Sequence, residues 1–428
     1  ETPYMTAVLI TGGRIIDPAN AIDKVGDLFI KNNRIISLFD RPNDFTAVQT
    51  INAKDHIVCP GLIDLSAHLR EPGQTQKATI LSETTAALKS GITTLCCPPD
   101  THPINDTPAV TEFILDKVEH ANAATVLPIG ALTQGLEGTK LSTMAALHKA
   151  GCIGFSNAHN PIKNTLVLRR TLEYAASHNL CVIIRPEDPW LQDQGCVHEG
   201  IPASRFGLPG IPKASEIIAI QQSLALCELT GCRIHFSQLS CSESVNLLKA
   251  AKHKQLPVSA DVAIHQLFFT ENELNTFDSA LHVRPPFRTE TDKQALLDGL
   301  KGGVIDAVCS AHQPHDADAK LGAFPSTQPG ISALETLLPL ILKLIETKAL
   351  SLSQGISWVT QNPASILALK QGSLTTGSPA DICIFNPELT WTVNENNWLS
   401  QGRNTPLWGQ TIKGKATQII KSGQVFSS

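Results

Sequence analysis

TTLCCPP at 93–99, TVLPIGAL at 125–132, CIGFS at 152–156, LCVIIRP at 180–186, RIHFSQL at 233–239, LPVSADV at 256–262 and IDAVCSAH at 305–312 are short apolar runs separated by stretches of helical spacing. Runs of this length read as strands, and the longer amphipathic stretches between them as helices. Roughly eight such strand-then-helix units fill residues 60–367. That count favours a (β/α)8 TIM-type barrel over the competing open, doubly wound sheet. No G-x-G-x-x-G turn argues for a dinucleotide site.

On either side the pattern becomes antiparallel. AVLITGGRIID at 7–17, VGDLFIKNNRIISL at 25–38 with a turn at Asn32 and Asn33, and IVCP at 57–60 read as hairpin strands. GSLTTGSPADICIF from 372, LTWTV at 389–393 and TIKGKATQIIKSGQVF at 411–426 return to strand spacing. Both segments need an apolar partner, so residues 1–59 and 368–428 are expected to pair as one small β-sandwich beside a barrel of residues 60–367.

Of 428 residues, 42% are hydrophobic and 17% charged, enough to bury a large core, and the net charge of −5 is scattered. No basic stripe or long apolar run is present, so nucleic acid and membrane are not expected partners, and the absence of a leader pattern points to the cytoplasm. The eleven cysteines form no C-x-x-C pair and read as reduced and buried. Cys96 and Cys97 are neighbours on a strand, so their side chains point to opposite faces and cannot share an ion.

Barrel chemistry sits at the C-terminal strand ends. PGLIDLSAHLREPG at 60–73 resembles the opening signature of the dihydroorotase and hydantoinase branch of the amidohydrolase superfamily. There a His-x-His pair, both on one strand face, binds one ion. TTLCCPPDTHP at 93–103, GISALETLLPLIL at 330–342, NPASILAL at 362–369, GSLTTGSPADICIFNP at 372–387 and NTPLWGQTIKGK at 404–415 continue the resemblance in order. It implies two divalent ions activating a bridging hydroxide, with an aspartate on the last strand moving the proton.

Most of that machinery is replaced. Ser66 stands where the first histidine of the pair is expected, and His68 keeps the second. Asn157 and Ala158 replace a bridging carboxylate, Arg185 a histidine, Gln238 (before Leu239 and Ser240) another, and Ala311, between Ser310 and His312, the catalytic aspartate. Ser, Ala, Arg and Gln cannot hold a transition ion, so no metal and no cofactor are expected. His235 reads as a hydrogen-bonded core residue, and His312 and His315 as loop-fixing donors. The remaining pocket would comprise His68, Arg70, Asp100, Arg284 and His312; Arg70 is expected to pair with an acid, and Asp100 to repel a carboxylate substrate.

The resemblance therefore implies a non-enzyme: an inactive dihydroorotase homologue that scaffolds the aspartate transcarbamoylase catalytic chain in pyrimidine biosynthesis and itself forms a homo-oligomer, a dimer. Two alternatives stay open. One is an active cyclic amidohydrolase with an atypical site, its base drawn from Glu187, Asp188 or Asp100; the other is an anion sensor built on Arg70, Arg185 and Arg284.

Overall fold

Period-two alternation along the first sixty positions folds as five strands in the computed structural model, which describes residues 6–428. The first five residues, on which the readings of a missing leader and of the small domain's start partly rest, lie outside the described residues. Strand β1 (Ala7–Asp17) runs antiparallel to β2 (Ile22–Lys31), which turns into β3 (Arg34–Leu38). Asn32 and Asn33 at that turn have φ of 51° and 63°, the left-handed pair a two-residue hairpin requires. Strands β4 (Gln49–Asn52) and β5 (Ile57–Pro60) join β1 in parallel.

Gly61 is the joint between the two sheets. A Cβ there would lie 2.0 Å from the Thr93 hydroxyl, so only glycine lets the chain pass so close. Beyond it come β6 (Leu62–Asp64), α1 (Ile80–Lys89), β7 (Ile92–Cys97), α2 (Pro108–Ala121), β8 (Thr125–Ala131), α3 (Met144–Ala150), β9 (Gly154–Ser156), α4 (Thr165–Ser177) and β10 (Val182–Ile184). An excursion follows through α5 (Pro189–Gln192), β11 (Val197–His198), α6 (Ile201–Phe206) and β12 (Gly210–Ile211). The alternation then resumes with α7 (Lys213–Thr230), β13 (Ile234–Phe236), α8 (Ser242–His253), β14 (Val258–Ala263), α9 (Glu290–Lys301) and β15 (Ala307–Cys309), followed by α10 (Leu337–Thr347), α11 (Leu352–Ser357) and α12 (Gln361–Leu367). Helices begin where the sequence supplies caps: Thr79 and Ser82 bond reciprocally at α1, as do Thr289 and Asp292 at α9.

The barrel strands lie in the order β6-β7-β8-β9-β10-β13-β14-β15, joined by parallel pairing. The ring closes just beyond the outer strands: the His68 N–H donates to the His312 carbonyl at 2.9 Å, and the His312 N–H to that of Ser66 at 3.2 Å. This is the expected (β/α)8 barrel, and it excludes the open sheet. Leu65, Cys96, Ile129, Ala307 and Cys309 fill the interior, while Cys97 faces the larger shell between strands and helices with Leu95, Phe155 and Phe236. All eleven cysteines are buried, without a disulfide. No helix among the described residues is long and apolar enough to cross a membrane.

Strands β16 (Ile382–Thr392), β17 (Thr411–Lys421) and β18 (Gln424–Ser427) complete the small sheet. Its order is β18-β17-β16-β5-β1-β2-β3, with β5 antiparallel to β16, Cys59 facing Cys383 and Val58 facing Ile384. The N-terminal and C-terminal segments thus join in one sheet through β5 and β16. Together they enclose Ile10, Ile15, Leu28, Ile30, Val58, Leu374, Ile382 and Ile420, the core of a β-sandwich.

Candidate active site

Successive parallel strands bring their following residues to one rim. There β6 presents Ser66 and His68, β7 presents Asp100, β9 presents Ala158 and His159, β10 presents Arg185, and β13 presents Gln238. Ser66, His68, Ala158, His159, Arg185 and Gln238 line a cavity enclosing about 430 Å³ and open to solvent. Ala158, Gln238 and Ala311 all have positive φ, near 51°, 61° and 50°. Non-glycine residues in that region cost energy and cluster where a backbone is shaped for a site.

At the centre, His68 Nε2 donates to Asp100 Oδ2 at 3.0 Å, and His68 Nδ1 faces the His312 carbonyl at 3.3 Å. Burial alone would raise the Asp100 carboxyl, but His68, through its charge and its hydrogen bond, together with the Arg70 charge, holds it well below the usual carboxylate range. Its other oxygen, Oδ1, is buried without a partner. Asp100 is thus bound to a histidine through one oxygen while the other stays unpartnered. His159 joins the pair, one atom from each of the three residues lying within 4.8 Å of the others.

Arg185 lies against His159, with Nη1 2.8 Å from its Nε2. Gln313 approaches the same nitrogen at 3.1 Å. Burial, then the Arg185 charge, pushes His159 well below the ordinary histidine range, so the ring is neutral. Burial also lowers Arg185, to about 9, and leaves its Nη2 without a partner. His265, just past β14, is pushed down to about 3 by burial and then by Arg185, and its Nδ1 is also unpartnered.

The other expected residues are engaged elsewhere. Arg284 forms a two-pronged pair with Glu187, Nε to Oε2 at 2.7 Å. Arg70 donates to the Pro314 carbonyl at 3.0 Å and meets His315 at 3.4 Å. No carboxylate among the described residues pairs with Arg70, so its expected acidic partner is corrected to a carbonyl. Asp188 caps α5 through the Trp190 and Leu191 N–H groups. Of the three arginines offered as an anion trap, Arg284 is held by Glu187 and Arg70 by the Pro314 carbonyl and His315, while Arg185 lines the cavity with its Nη2 unpartnered.

His312 does not face the cavity. It is fully buried, with Nε2 2.8 Å from Glu83 Oε1 and Nδ1 accepting from the Ala333 N–H at 2.9 Å, so its place among the pocket residues is corrected. His315 accepts and donates among Lys77, Arg70 and the Pro329 carbonyl, and burial with Arg70 pushes it down to about 2. His235 bonds Ser259 and Asp261, each at 2.7 Å, deep in the wall. Asn157 turns into the loop and bonds Thr133. Gln238 reaches across to Ser66 at 3.4 Å, so two replaced ligand positions now bond each other.

Sequence reading missed His159 and His265. The signal for His159 was its place one residue beyond Ala158, directly after a strand end; nothing local marks His265. For the two-ion centre of related barrels the donors do not fit, because Ser66, Ala158, Gln238 and Ala311 offer no strong ligand and Arg185 adds a cation. His68, Asp100 and His159 are the donors that converge.

A dihydro-orotase-like family profile matches residues 55–244, and an amidohydrolase family profile matches residues 218–426. A "Dihydroorotase-like protein" of Pseudomonas aeruginosa is 43% identical over 98% of this chain and 99% of its own length. A "Dihydroorotase" of Syntrophotalea carbinolica is 38% identical over 98% of both. Among solved structures, an L-hydantoinase from Arthrobacter aurescens superposes with a TM-score of 0.88 at 21% identity, covering 98% of this chain and 96% of that one. The barrel, the sandwich and the rim define an amidohydrolase. Within that superfamily the chain belongs to the dihydroorotase-like family.

These findings overturn the expectation of a non-enzyme. Relatives called dihydroorotase align over nearly the whole chain, and a second histidine and an aspartate converge on His68 where loss of the expected ligands had suggested an empty rim.

Proposed function

We propose that the chain opens or closes a cyclic amide of the dihydroorotate type at an atypical site. What supports this reading is that His68, Asp100 and His159 converge within 4.8 Å beside Arg185, at the edge of a cavity that His68, His159 and Arg185 line, with Asp100 Oδ1 and Arg185 Nη2 left unpartnered. Opening such a ring needs a donor on the carbonyl oxygen, an acceptor for a water proton, and a donor to the departing nitrogen. Arg185 Nη2 supplies the first and Asp100 Oδ1 the second. The proton that Asp100 takes from the water is the one the departing nitrogen needs as the C–N bond breaks, and His68, bonded to the other Asp100 oxygen, holds the carboxylate in place. No step runs through a pair of ions, for which the donors are missing.

The test is to incubate the purified chain with dihydroorotate, and separately with its ring-opened N-carbamoyl product, and to follow their interconversion. Turnover is expected, with Asp100→Asn reducing it at least about 100-fold, the scale for loss of one acid–base group. Absence of turnover in both directions overturns the proposal.

A second reading adds assembly with the aspartate transcarbamoylase catalytic chain, and pairing with a second copy. It is favoured by apolar side chains left in solvent on the excursion after β10, Trp190 at 75% and Ile201 at 83% exposure. Size-exclusion chromatography of the two chains together should give a complex that Trp190→Ser with Ile201→Ser dissolves. Separate elution of the wild-type chains at micromolar concentration counts against it.

A further inference from the structure

Beside the barrel mouth lies a second cavity of about 650 Å³, between β10 and the helices α4 and α7. Leu168 of α4, Ala219 of α7, Ile162 and Ile184 give it an apolar floor, and Trp190 borders it while remaining largely exposed. A concave, mostly apolar space of this size with a few polar groups at its edge has the form of a small-molecule site.

Its polar groups divide into those already engaged and those still free. Glu187 is held by Arg284, Asp188 accepts the Trp190 and Leu191 N–H groups, Asn157 bonds Thr133, and the Ser223 hydroxyl donates to the Ala219 carbonyl. Lys163 Nζ lies 4.9 Å over the Trp190 ring, and no carboxylate among the described residues pairs with it. Arg185 Nη1 sits against His159, while its Nη2 is buried without a partner. Both acids on the cavity are thus answered and both cations are not. A buried cation short of counter-charge is costly, and an anion beside it removes that cost.

We propose that this cavity binds a small organic monoanion with a flat apolar body, an aryl carboxylate in chemical class, its carboxylate held by Lys163 and Arg185 and its ring lying on the apolar floor against Trp190. Charge-assisted bonds to two cations fix the head, and the indole favours a planar ring beside it. Arg185, Ala158 and Ile183 border the barrel cavity as well, so the two spaces share a wall. An anion that takes Arg185 Nη2 withdraws it from the carbonyl it would meet in the barrel, which makes the ligand an inhibitor. That consequence rests on the proposed function; the binding itself does not.

The experiment titrates the chain with benzoate in a calorimeter, with benzamide as the neutral counterpart. One benzoate per chain is expected, with benzamide at least about tenfold weaker for want of the charge-assisted bonds. Lys163→Gln, a change on an exposed side chain, should weaken benzoate at least about tenfold for the same reason. Ala219→Phe fills the floor and should abolish binding; Trp190→Ala, also on the surface, serves in its place if that variant does not fold. Absence of binding at millimolar benzoate overturns the site, as does benzamide binding equally well. Benzoate held at the barrel mouth instead would keep its affinity in Lys163→Gln and Trp190→Ala, and that result overturns the site too. Saturating benzoate should slow turnover of dihydroorotate in the wild-type chain, and the same concentration should spare Lys163→Gln. Binding by a chain without turnover would refute the proposed function and leave the site standing; turnover untouched by saturating benzoate would overturn the link through Arg185.

Discussion

Two arcs of the same rim handle buried polar groups in opposite ways. Where β6 meets β15, His312, Glu83 and Ser400 are buried and joined through Glu83, which bonds both of the others and also receives the Gln401 N–H at 3.1 Å and Ser82 Oγ at 2.7 Å. Where β7, β10 and β14 end, Asp100, Arg185 and His265 each keep a buried polar atom without a partner. Buried polar atoms are almost always bonded when their task is to hold a fold, and leaving one bare costs about 1–3 kcal/mol. The first arc is therefore the clasp that shuts the barrel, and the second is the part kept ready for something that is not protein.

The largest effect should come from the clasp. Glu83→Ala strips His312 and the 400–401 loop of their shared acceptor and should lower unfolding free energy by about 3–5 kcal/mol, as breaking a buried pair does. Chemical denaturation measures this, and a loss comparable to that of a surface substitution would erase the distinction between the arcs. Arg185→Met on the other arc should leave the midpoint unchanged or higher, because an incompletely bonded buried cation gives way to an apolar chain of similar length.

A smaller effect concerns Glu335, which accepts the Leu399 and Ser400 N–H groups and so pins the same loop. Burial pushes its carboxyl up to about 7, against those bonds, from an ordinary value of 4.5. Because the folded state holds the proton more tightly, its contribution is fully present below the ordinary value and is lost as pH rises through about 7, up to about 3 kcal/mol in all. Stability measured from pH 4.5 to 8 should fall on this account, and Glu335→Gln should flatten the slope. An unchanged slope in the variant would place the pH dependence elsewhere.

The barrel was readable because apolar runs and helical periods repeat, and the small sheet because its alternation left an apolar face on both segments. Replacement of ligand residues at Ser66, Ala158, Arg185, Gln238 and Ala311 was equally plain from the words that close each strand. What those words omit is which side chains meet across the rim. His159 reaches His68 and Asp100 through the stagger of β6, β7 and β9, and Arg284 finds Glu187 across 97 positions, distances that periodicity does not encode. Arg70 looked like half of an ion pair because an isolated charge suggests an opposite one, yet the Pro314 backbone carbonyl serves instead.

The pairing of β5 with β16 has a consequence in time. The edge formed by Ile57, Val58 and Cys59 is covered only by residues 382–385, so on a ribosome extending at about 5–20 residues per second it waits tens of seconds for its mate. Throughout that interval the nascent chain offers an apolar strand edge to any other strand nearby, and sequestering that edge until synthesis nears completion is a demand this topology places on the cell.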